Sequence, residues 1–251
     1  MDEKGKLMKQ KIKLLILSMS YFLYKNNFSK VIYYHDIHSN TSFTDMSTPI
    51  SLFKKHIEII KNNGYEIVRK INNPLKEIEI TFDDGFRGLY ENFDFFIENK
   101  IPVKVFLIVD YIGKKNYMTQ KEIQELLSTG FLTIGSHTIS HRNLDTLDDK
   151  ELKKEIIDSK FILEDMFNER IEDICYPRGR FNNKIIEIAR NAGYQKQYSC
   201  LPGSYFDPFV KDVIKRNFVQ HATPKEFEYH LNGGGEVLFN RYLKQHFKDK
   251  V

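Results

Sequence analysis

Two polar clusters in the chain contain side chains that bind metal ions and transfer protons. The first is the acidic turn 83–85 (DDG), and the second is the segment 136–141 (SHTISH), in which His137 and His141 are four positions apart. Adjacent carboxylates repel each other unless a cation or a proton lies between them. One carboxylate and two neutral imidazoles leave a coordination position open for water, which is the ligand arrangement of catalytic rather than structural zinc. The two clusters therefore predict a site for a divalent metal ion.

Each cluster follows a segment with the pattern of a β-strand. Ile78, Ile80 and Phe82 alternate with polar residues, as in a strand with one buried face. A short apolar run at 131–134 precedes the histidines. Helices are predicted between further strands at 31–35, 65–68, 103–109, 171–176, 197–200 and 213–216. Because the carboxyl ends of parallel strands meet on one face in such an α/β pattern, the two clusters are expected to lie together.

Two of the predicted helices have specific predicted boundaries. Apolar residues at helical spacing predict a long helix over 148–168, and the lysines and glutamates between them fit a solvated outer face. We assign these charges no function. A second helix is predicted to begin at Thr48 and Pro49, which are typical residues for a helix N-cap and first turn.

The composition is that of an ordinary folded domain. A length of 251 residues is sufficient for one α/β barrel. The 38 basic and 34 acidic residues nearly balance, so no nucleic-acid binding is predicted. The chain has no tryptophan, and a sugar-binding cleft would have to use tyrosine or phenylalanine for stacking. Cys175 and Cys200 could form a disulfide or remain buried free thiols.

The N-terminal segment 1–29 combines lysines with the apolar stretch 14–24. This resembles the beginning of a signal peptide for export to the cell envelope, but no small-residue cleavage site follows it. The stretch is too short to span a bilayer as a helix. The alternative is an amphipathic helix that packs on the domain or rests on a membrane with its lysines towards the lipid headgroups. We expect a retained helix and a cytoplasmic or membrane-peripheral protein.

The sequences TFDDG at 81–85 and SHTISH at 136–141 resemble the first two motifs of the polysaccharide deacetylase family, also called the NodB-homology group or carbohydrate esterase family 4. The resemblance runs from about residue 31 to residue 227. It implies a single-domain distorted (β/α)7 barrel of parallel strands. The catalytic domain is then expected at 30–232, followed by a C-terminal amphipathic helix at 233–251 that serves packing or oligomer formation; the oligomeric state is left open.

The resemblance also implies the reaction. Members of this family remove N-acetyl groups from the amino sugars of a polysaccharide and release acetate. Carried over to this chain, Asp83 is the general base, and Asp84, His137 and His141 hold a divalent metal ion, usually zinc, with cobalt or nickel as alternatives. Such an ion polarises the acetyl carbonyl and acidifies water, whose proton the neighbouring carboxylate accepts.

The third family motif is only partly present. The sequence CYPRGRFN aligns with the family's Arg-x-Pro-Tyr-Gly region through Tyr176 and Pro177. However, Cys175 stands where many members have the arginine that braces the base, and Arg178 replaces the usual aromatic residue. Arg216 could supply the missing guanidinium from elsewhere in the chain, or it could be a surface arginine.

The general acid is also not where many family members have it. No Leu-x-His motif is evident, although His221 and His230 lie in the corresponding part of the chain. In the poly-β-1,6-N-acetylglucosamine deacetylase branch, a histidine in an early Tyr-His-Asp segment looks like the acid. The sequence at 34–36 matches that segment, so the resemblance implies that His35 protonates the leaving amine. The alternative is a purely structural histidine.

Three other functions remain open from the sequence. An O-acetyl sugar esterase would use the same chemistry. A non-catalytic carbohydrate-binding protein would explain the missing arginine and the unrecognised late histidine. Two histidines and one carboxylate also suit an iron oxygenase, although the doubled aspartate argues against it.

Overall fold

The structure is a computed structural model that describes residues 3–249; in the first helix it describes the side chains of residue 12 and of residues 14 onward. The helices are α1 (Glu3–Tyr24), α2 (Ile50–Asn62), α3 (Gly88–Glu91), α4 (Asp94–Glu98), α5 (Gln120–Ser128), α6 (Asp149–Lys153), α7 (Ser159–Phe167), α8 (Asn183–Asn191), α9 (Pro224–Leu231) and α10 (Phe239–His246). Within the described residues, none of these helices is long and apolar enough to cross a bilayer. The predicted orientation of the lysines concerns side chains outside the described ones: Lys4, Lys6, Lys9, Lys11 and Lys13.

The strands form one large parallel sheet and a separate two-stranded ribbon. They are β1 (Lys30–Tyr34), β2 (Asp36–His38), β3 (Ser47–Pro49), β4 (Glu66–Ile67), β5 (Glu77–Asp84), β6 (Val103–Leu107), β7 (Leu132–Ser136), β8 (Asp173–Cys175), β9 (Lys196–Tyr198), β10 (Val213–Ile214) and β11 (Arg216–Phe218). The large sheet has the order β10-β9-β8-β7-β6-β5-β1-β11, with β4 beside the start of β5. The ribbon is formed by β2 and β3.

The sheet closes on itself through a single segment of chain. β10 pairs with β9 and β11 pairs with β1, and only Lys215 separates β10 from β11. The segment 213–218 thus joins both edges of the sheet and leaves seven strand positions around the circumference. The predicted (β/α)7 barrel of parallel strands is confirmed.

β5 is buried on both faces, which differs from the one-sided strand that its alternation predicted. Ile80 and Phe82 lie in the apolar layer between the barrel and the helices, where the Phe82 ring is 6.1 Å from that of Phe96 in α4. Glu79, on the other face, lies inside the barrel, 2.6 Å from the Lys104 ammonium of β6. The polar face therefore contacts ion-pair partners in the barrel interior instead of water.

Two helix predictions need correction. Thr48 and Pro49 belong to β3, and the Thr48 hydroxyl donates to the Gln220 carbonyl (2.9 Å) instead of capping α2, which begins at Ile50. The long helix exists but is not regular, because a π-helical turn, Lys154–Asp158, separates α6 from α7. Glu155 lies in this turn, three residues after the buried Leu152, and is itself buried, not on a solvated face.

Candidate active site

The strand register brings the two polar clusters together at the carboxyl ends of the strands. Asp84 pairs with Leu107 of β6, and Leu107 pairs in turn with Ser136 of β7. Asp84 and Gly85 both have positive φ angles (72° and 80°), so the chain turns sharply as β5 ends. A Cβ atom on Gly85 would lie 2.8 Å from the Leu107 side chain, which explains why glycine is needed there.

Three side chains converge with the geometry of a metal site. The Asp84 Oδ1 atom lies 3.5 Å from His137 Nε2 and 3.6 Å from His141 Nε2. Two ligand atoms bound to a tetrahedral zinc ion at about 2.0–2.1 Å lie about 3.3 Å apart, so the observed spacing fits such an ion with little movement. Asp84 Oδ1 is also buried and has no hydrogen-bond partner among the described residues. A buried carboxylate oxygen without a donor is suited to a cation.

The protonation of the ligands agrees with metal binding. His137 Nδ1 lies 2.8 Å from the Cys175 carbonyl, which can only accept, so Nδ1 carries the proton and Nε2 presents its lone pair towards Asp84. Burial and then the neighbouring His137 lower the pKa of His141 to about 3, which keeps its imidazole neutral. Burial raises the pKa of Asp84 in spite of the nearby histidines. A divalent cation would relieve this cost of burying a carboxylate.

The loop that carries the histidines has a strained conformation, which the buried Glu155 carboxylate stabilises. Thr138 and His141 have φ angles of 67° and 60°, a region that β-branched residues rarely adopt. The buried Glu155 carboxylate accepts hydrogen bonds from the Ile139 and Ser140 amides at 2.9 and 3.0 Å, and from the Ser140 hydroxyl. Glu155 thus fixes the loop between the two histidines. The sequence analysis missed this residue because it interpreted all lysines and glutamates of the 148–168 helix as a solvated outer face.

Asp83 is paired with a buried arginine. Its two carboxylate oxygens accept from Arg216 Nη1 and Nη2 at 2.7 and 2.8 Å. The remaining guanidinium donors are directed at Ser199 O (2.9 Å), Thr81 Oγ1 (3.1 Å) and Cys175 Sγ (2.9 Å). Arg216 is 0% exposed, so it is not a surface arginine. Burial alone would raise the pKa of Asp83, but the Arg216 guanidinium holds it well below its usual range.

The third-motif residues shape the turn beside this pair. Cys175 occupies the position where the arginine was expected, and Arg216 reaches the same space from β11. The buried Tyr176 ring stacks on Phe181 (5.1 Å), and its hydroxyl donates to Gln197 of β9. Pro177 begins a 3₁₀ turn that ends at Gly179. Both cysteines are free thiols.

A second set of potential ligands can be compared with the first. Within the described residues, Asp83, His137 and Cys175 also bring ligand atoms within 4.8 Å of one another. Both oxygens of Asp83 are already paired with Arg216. A dication placed there would lie beside a buried guanidinium and be repelled by it. The set Asp84, His137 and His141 is therefore the better metal site.

His35 lies at the end of β1 beside the two aspartates. Its Nδ1 atom is 2.7 Å from Gln220 Oε1, so Nε2 is the ring nitrogen that this contact does not occupy. The pKa of Asp83 is lowered, against the effect of burial, first by Arg216 and then by His137 and His35. His221 contacts the Gln220 amide (3.0 Å), whereas His230 packs on the Gly235 turn, away from the metal ligands. No pattern in the sequence indicated that Gln220 would position His35.

Aromatic rings form a wall next to the metal ligands. Tyr117 stacks on Phe86 with ring centroids 4.6 Å apart, and Tyr111 lies 4.9 Å from Tyr117. The loop is joined to the turn after β5 by the Met118 amide, which donates to the Gly85 carbonyl (3.0 Å). Burial, followed by the Asp84 charge, raises the pKa of Tyr117 to about 12. A half-buried phenol is thus available for sugar stacking in a chain without tryptophan.

Comparison with known proteins gives the class of this fold and site. The family model for polysaccharide deacetylases matches residues 70–196, about half of the chain. The chain therefore belongs to the polysaccharide deacetylase family.

Individual relatives agree with this assignment. The Bacillus subtilis protein YxkH, named for the same family, is 29% identical over 185 residues, 69% of this chain. This chain spans 65% of the length of that relative. A Staphylococcus aureus protein named poly-β-1,6-N-acetyl-D-glucosamine N-deacetylase is 24% identical over 212 residues, covering 70% of this chain and 73% of the relative.

Solved structures share the fold. The Streptococcus pyogenes deacetylase PplD, solved with acetate, superposes with a TM-score of 0.71 at 20% identity, covering 82% of this chain and 99% of that one. IcaB from Ammonifex degensii superposes with a TM-score of 0.69 at 18% identity, covering 83% and 98% of the two chains. The NodB-type architecture predicted from the sequence is confirmed by these neighbours.

Proposed function

We propose that the protein is a metal-dependent deacetylase that hydrolyses the N-acetyl groups of amino sugars in a poly-N-acetylglucosamine-like polysaccharide and releases acetate. One observation carries the proposal. The atoms Asp84 Oδ1, His137 Nε2 and His141 Nε2 face one another at 3.5–3.6 Å from the aspartate, beside an Asp83 carboxylate that Arg216 keeps ionised. Family membership and the named Staphylococcus aureus relative support the substrate class.

The site residues have separate roles in the proposed reaction. Asp84, His137 and His141 would hold the divalent ion, which is zinc in this proposal with cobalt or nickel as substitutes, and the ion would supply Lewis-acid polarisation of the acetyl carbonyl and of water. Asp83 accepts a proton from the attacking water as the oxygen bonds to the carbonyl carbon. Its low pKa keeps it ionised, so the accepted proton is held only briefly.

The leaving amine needs a proton as the carbon–nitrogen bond breaks. His35 is the donor in this proposal, because Gln220 Oε1 accepts from its Nδ1 atom and the imidazolium form then has its other proton, on Nε2, to transfer. The products are acetate and a free amino sugar. Tyr117 and Tyr111 offer rings on which the sugar stacks, and such contacts position the acetyl group over Asp83 and the metal ligands.

The non-catalytic alternative is weakened by one specific contact. It was suggested by the missing arginine of the third motif, and Arg216 brings a guanidinium to the base from another strand. An iron oxygenase would have no use for this buried Asp83–Arg216 pair.

The test is acetate release from β-1,6- and β-1,4-linked N-acetylglucosamine oligomers, first after chelation and then with zinc, cobalt or nickel restored. We expect release only with metal, and none from Asp83→Asn protein that retains its metal. Asp165→Asn, which changes an exposed aspartate of α7, is the matched control and should keep full activity. Full activity of the chelated protein or of Asp83→Asn would refute the mechanism. Release only from O-acetylated sugars would replace the N-acetyl assignment, and oxygen consumption would replace the reaction class.

A further inference from the structure

The exposed large apolar side chains are concentrated on one side of the molecule. Among the described side chains, all of them except Ile97, Phe161 and Ile162 lie on α1 or on nearby loops. Those of α1 are Ile12, Leu15, Ile16, Met19, Phe22, Leu23 and, at its end, Tyr24. Those of the loops are Phe28, Leu75, Phe206, Phe209 and Val237. We call these two groups together the basal patch.

α1 attaches to the domain by one face and leaves the other open. Leu17 is 1% exposed and lies on the glycine turn after α9, where a Cβ atom on Gly234 would be 2.9 Å from the Leu17 carbonyl. Tyr21 packs against Tyr229 of α9 with ring centroids 5.2 Å apart. On the opposite face, Phe22 is 80% exposed and Leu23 is 74% exposed. The apolar stripe of α1 therefore has no partner within the described chain.

The stripe is continuous with the loop part of the basal patch. Tyr24, Phe209 and Val237 line a cavity of about 630 Å³ whose wall also includes the charged residues Asp207, Lys215 and Glu236. Phe28 and Phe206 line a second cavity of about 130 Å³ that shares Asp207 with the first. Clustered exposed apolar side chains of this kind mark an interaction site more often than scattered ones do.

The basal patch lies at the end of the barrel opposite the candidate active site. Phe28 precedes β1 and Leu75 precedes β5, and an isolated backbone bridge pairs these two residues. Both are therefore at the amino ends of the strands. Asp84 and His137 lie at the carboxyl ends. A surface bound by the patch would leave the metal site facing away from it.

The charge of the N-terminal segment that includes α1 indicates which kind of partner binds the basal patch. Residues 1–29 contain six lysines and two acidic residues, Asp2 and Glu3, so the segment has a net positive charge. A second copy of the chain would bring these positive charges against each other, whereas an anionic lipid surface attracts them. α1 has apolar residues on the face opposite the one that packs on the domain, and its N-terminal part is rich in lysine. These features are typical of a helix that lies in the membrane interface. We propose that the basal patch docks the protein peripherally on anionic lipid, with the deacetylase site directed away from the bilayer.

Vesicle flotation of the full chain tests the docking. We expect binding to vesicles containing phosphatidylglycerol, weaker binding at high salt, and little binding to pure phosphatidylcholine. The triple variant Leu15→Gln, Met19→Gln, Leu23→Gln replaces exposed side chains only and should weaken binding on the order of tenfold or more. The matched control Phe161→Gln, which changes an exposed phenylalanine of α7, should bind as the unmodified protein does.

The orientation can be read separately because the chain has no tryptophan. In the proposed orientation, single tryptophans in Phe22→Trp and Phe206→Trp proteins are quenched by brominated lipids, and that of Phe161→Trp is not. The proposal would be overturned if the unmodified protein bound neither vesicle type or if the triple variant bound as well as the unmodified protein. It would also be overturned if the unmodified protein were a dimer and the triple variant a monomer. Quenching at Phe22 without quenching at Phe206 would overturn the orientation. None of these outcomes depends on acetate release, so the docking and the proposed reaction can fail independently.

Discussion

Glu155 offers the sharpest test of how the candidate metal site is built, because it contacts no ligand atom and acts only through the loop backbone. Its buried carboxylate accepts from the Ile139 and Ser140 amides between the two histidines. Hydrogen bonds to a charged group contribute about 1.5–3 kcal/mol each, so Glu155→Ala removes about 3 kcal/mol or more of native-state contacts. We expect the free energy of unfolding to fall by this order.

The same change should weaken metal binding. Thr138 and His141 are held in left-handed conformations that cost about 1–3 kcal/mol each, and without Glu155 the loop can relax into easier ones. Loss of a group that orients a metal ligand typically costs 10–100-fold in affinity, which corresponds to about 1.4–2.7 kcal/mol. We therefore expect the dissociation constant for zinc to rise by about 10- to 100-fold.

Calorimetric titration of metal-free protein with zinc measures this effect, and the visible spectrum of the cobalt form reports the ligand geometry. Glu155→Gln keeps a carbonyl acceptor and should lie between the unmodified protein and Glu155→Ala. Glu187→Ala, an exposed glutamate of α8, serves as the control and should change neither quantity beyond about 0.5 kcal/mol. A Glu155→Ala protein that loses stability but binds zinc with an unchanged constant would refute the positioning role.

Three further outcomes follow from the site. Arg216→Met should move the acid limb of kcat/KM to higher pH by about two units, since breaking a buried pair costs about 3 kcal/mol and one unit is about 1.4 kcal/mol. The acid limb moves to higher pH because, without Arg216, burial raises the pKa of Asp83, and a general base loses activity as the pH falls through its pKa. An acid limb at the same pH as in the unmodified protein would contradict the pairing. His35→Gln should lower kcat about 10²- to 10⁴-fold while metal content stays constant, and normal turnover would exclude it as the acid. Tyr117→Ala should raise KM for oligomers on the order of tenfold by loss of stacking, and an unchanged KM would remove the ring from the cleft.

The sequence was sufficient for the parts of the site that are contiguous in the chain. The acidic turn and the two histidines follow recognisable strands, and barrel geometry then places them together. Arg216 and Gln220 could be assigned only weakly or not at all, because their contacts exist only once the barrel has closed. Their partners Asp83 and His35 lie 133 and 185 positions away. No local pattern contains that information.

Two misinterpretations have a common physical origin. The period-two pattern of β5 was interpreted as one buried and one solvent-exposed face, yet Glu79 is buried beside Lys104 inside the barrel. The charges of the 148–168 helix were interpreted as solvated, yet Glu155 is buried and accepts a hydrogen bond from the Ile139 amide. In both cases polarity was equated with exposure, whereas paired charges can be buried when the fold supplies their partners.

The closing segment of the barrel also determines when the anionic base can be buried together with its countercharge. Arg216 lies on the strand that joins the two edges of the sheet, and a ribosome completes it long after Asp83 has emerged. Until that strand docks, a collapsed chain would enclose the Asp83 carboxylate without its countercharge, which disfavours closure around an incomplete sheet. Docking of the last strand and burial of the Asp83 carboxylate are thus coupled, and chains that stop before residue 213 should favour open, unfolded ensembles over a mispacked barrel.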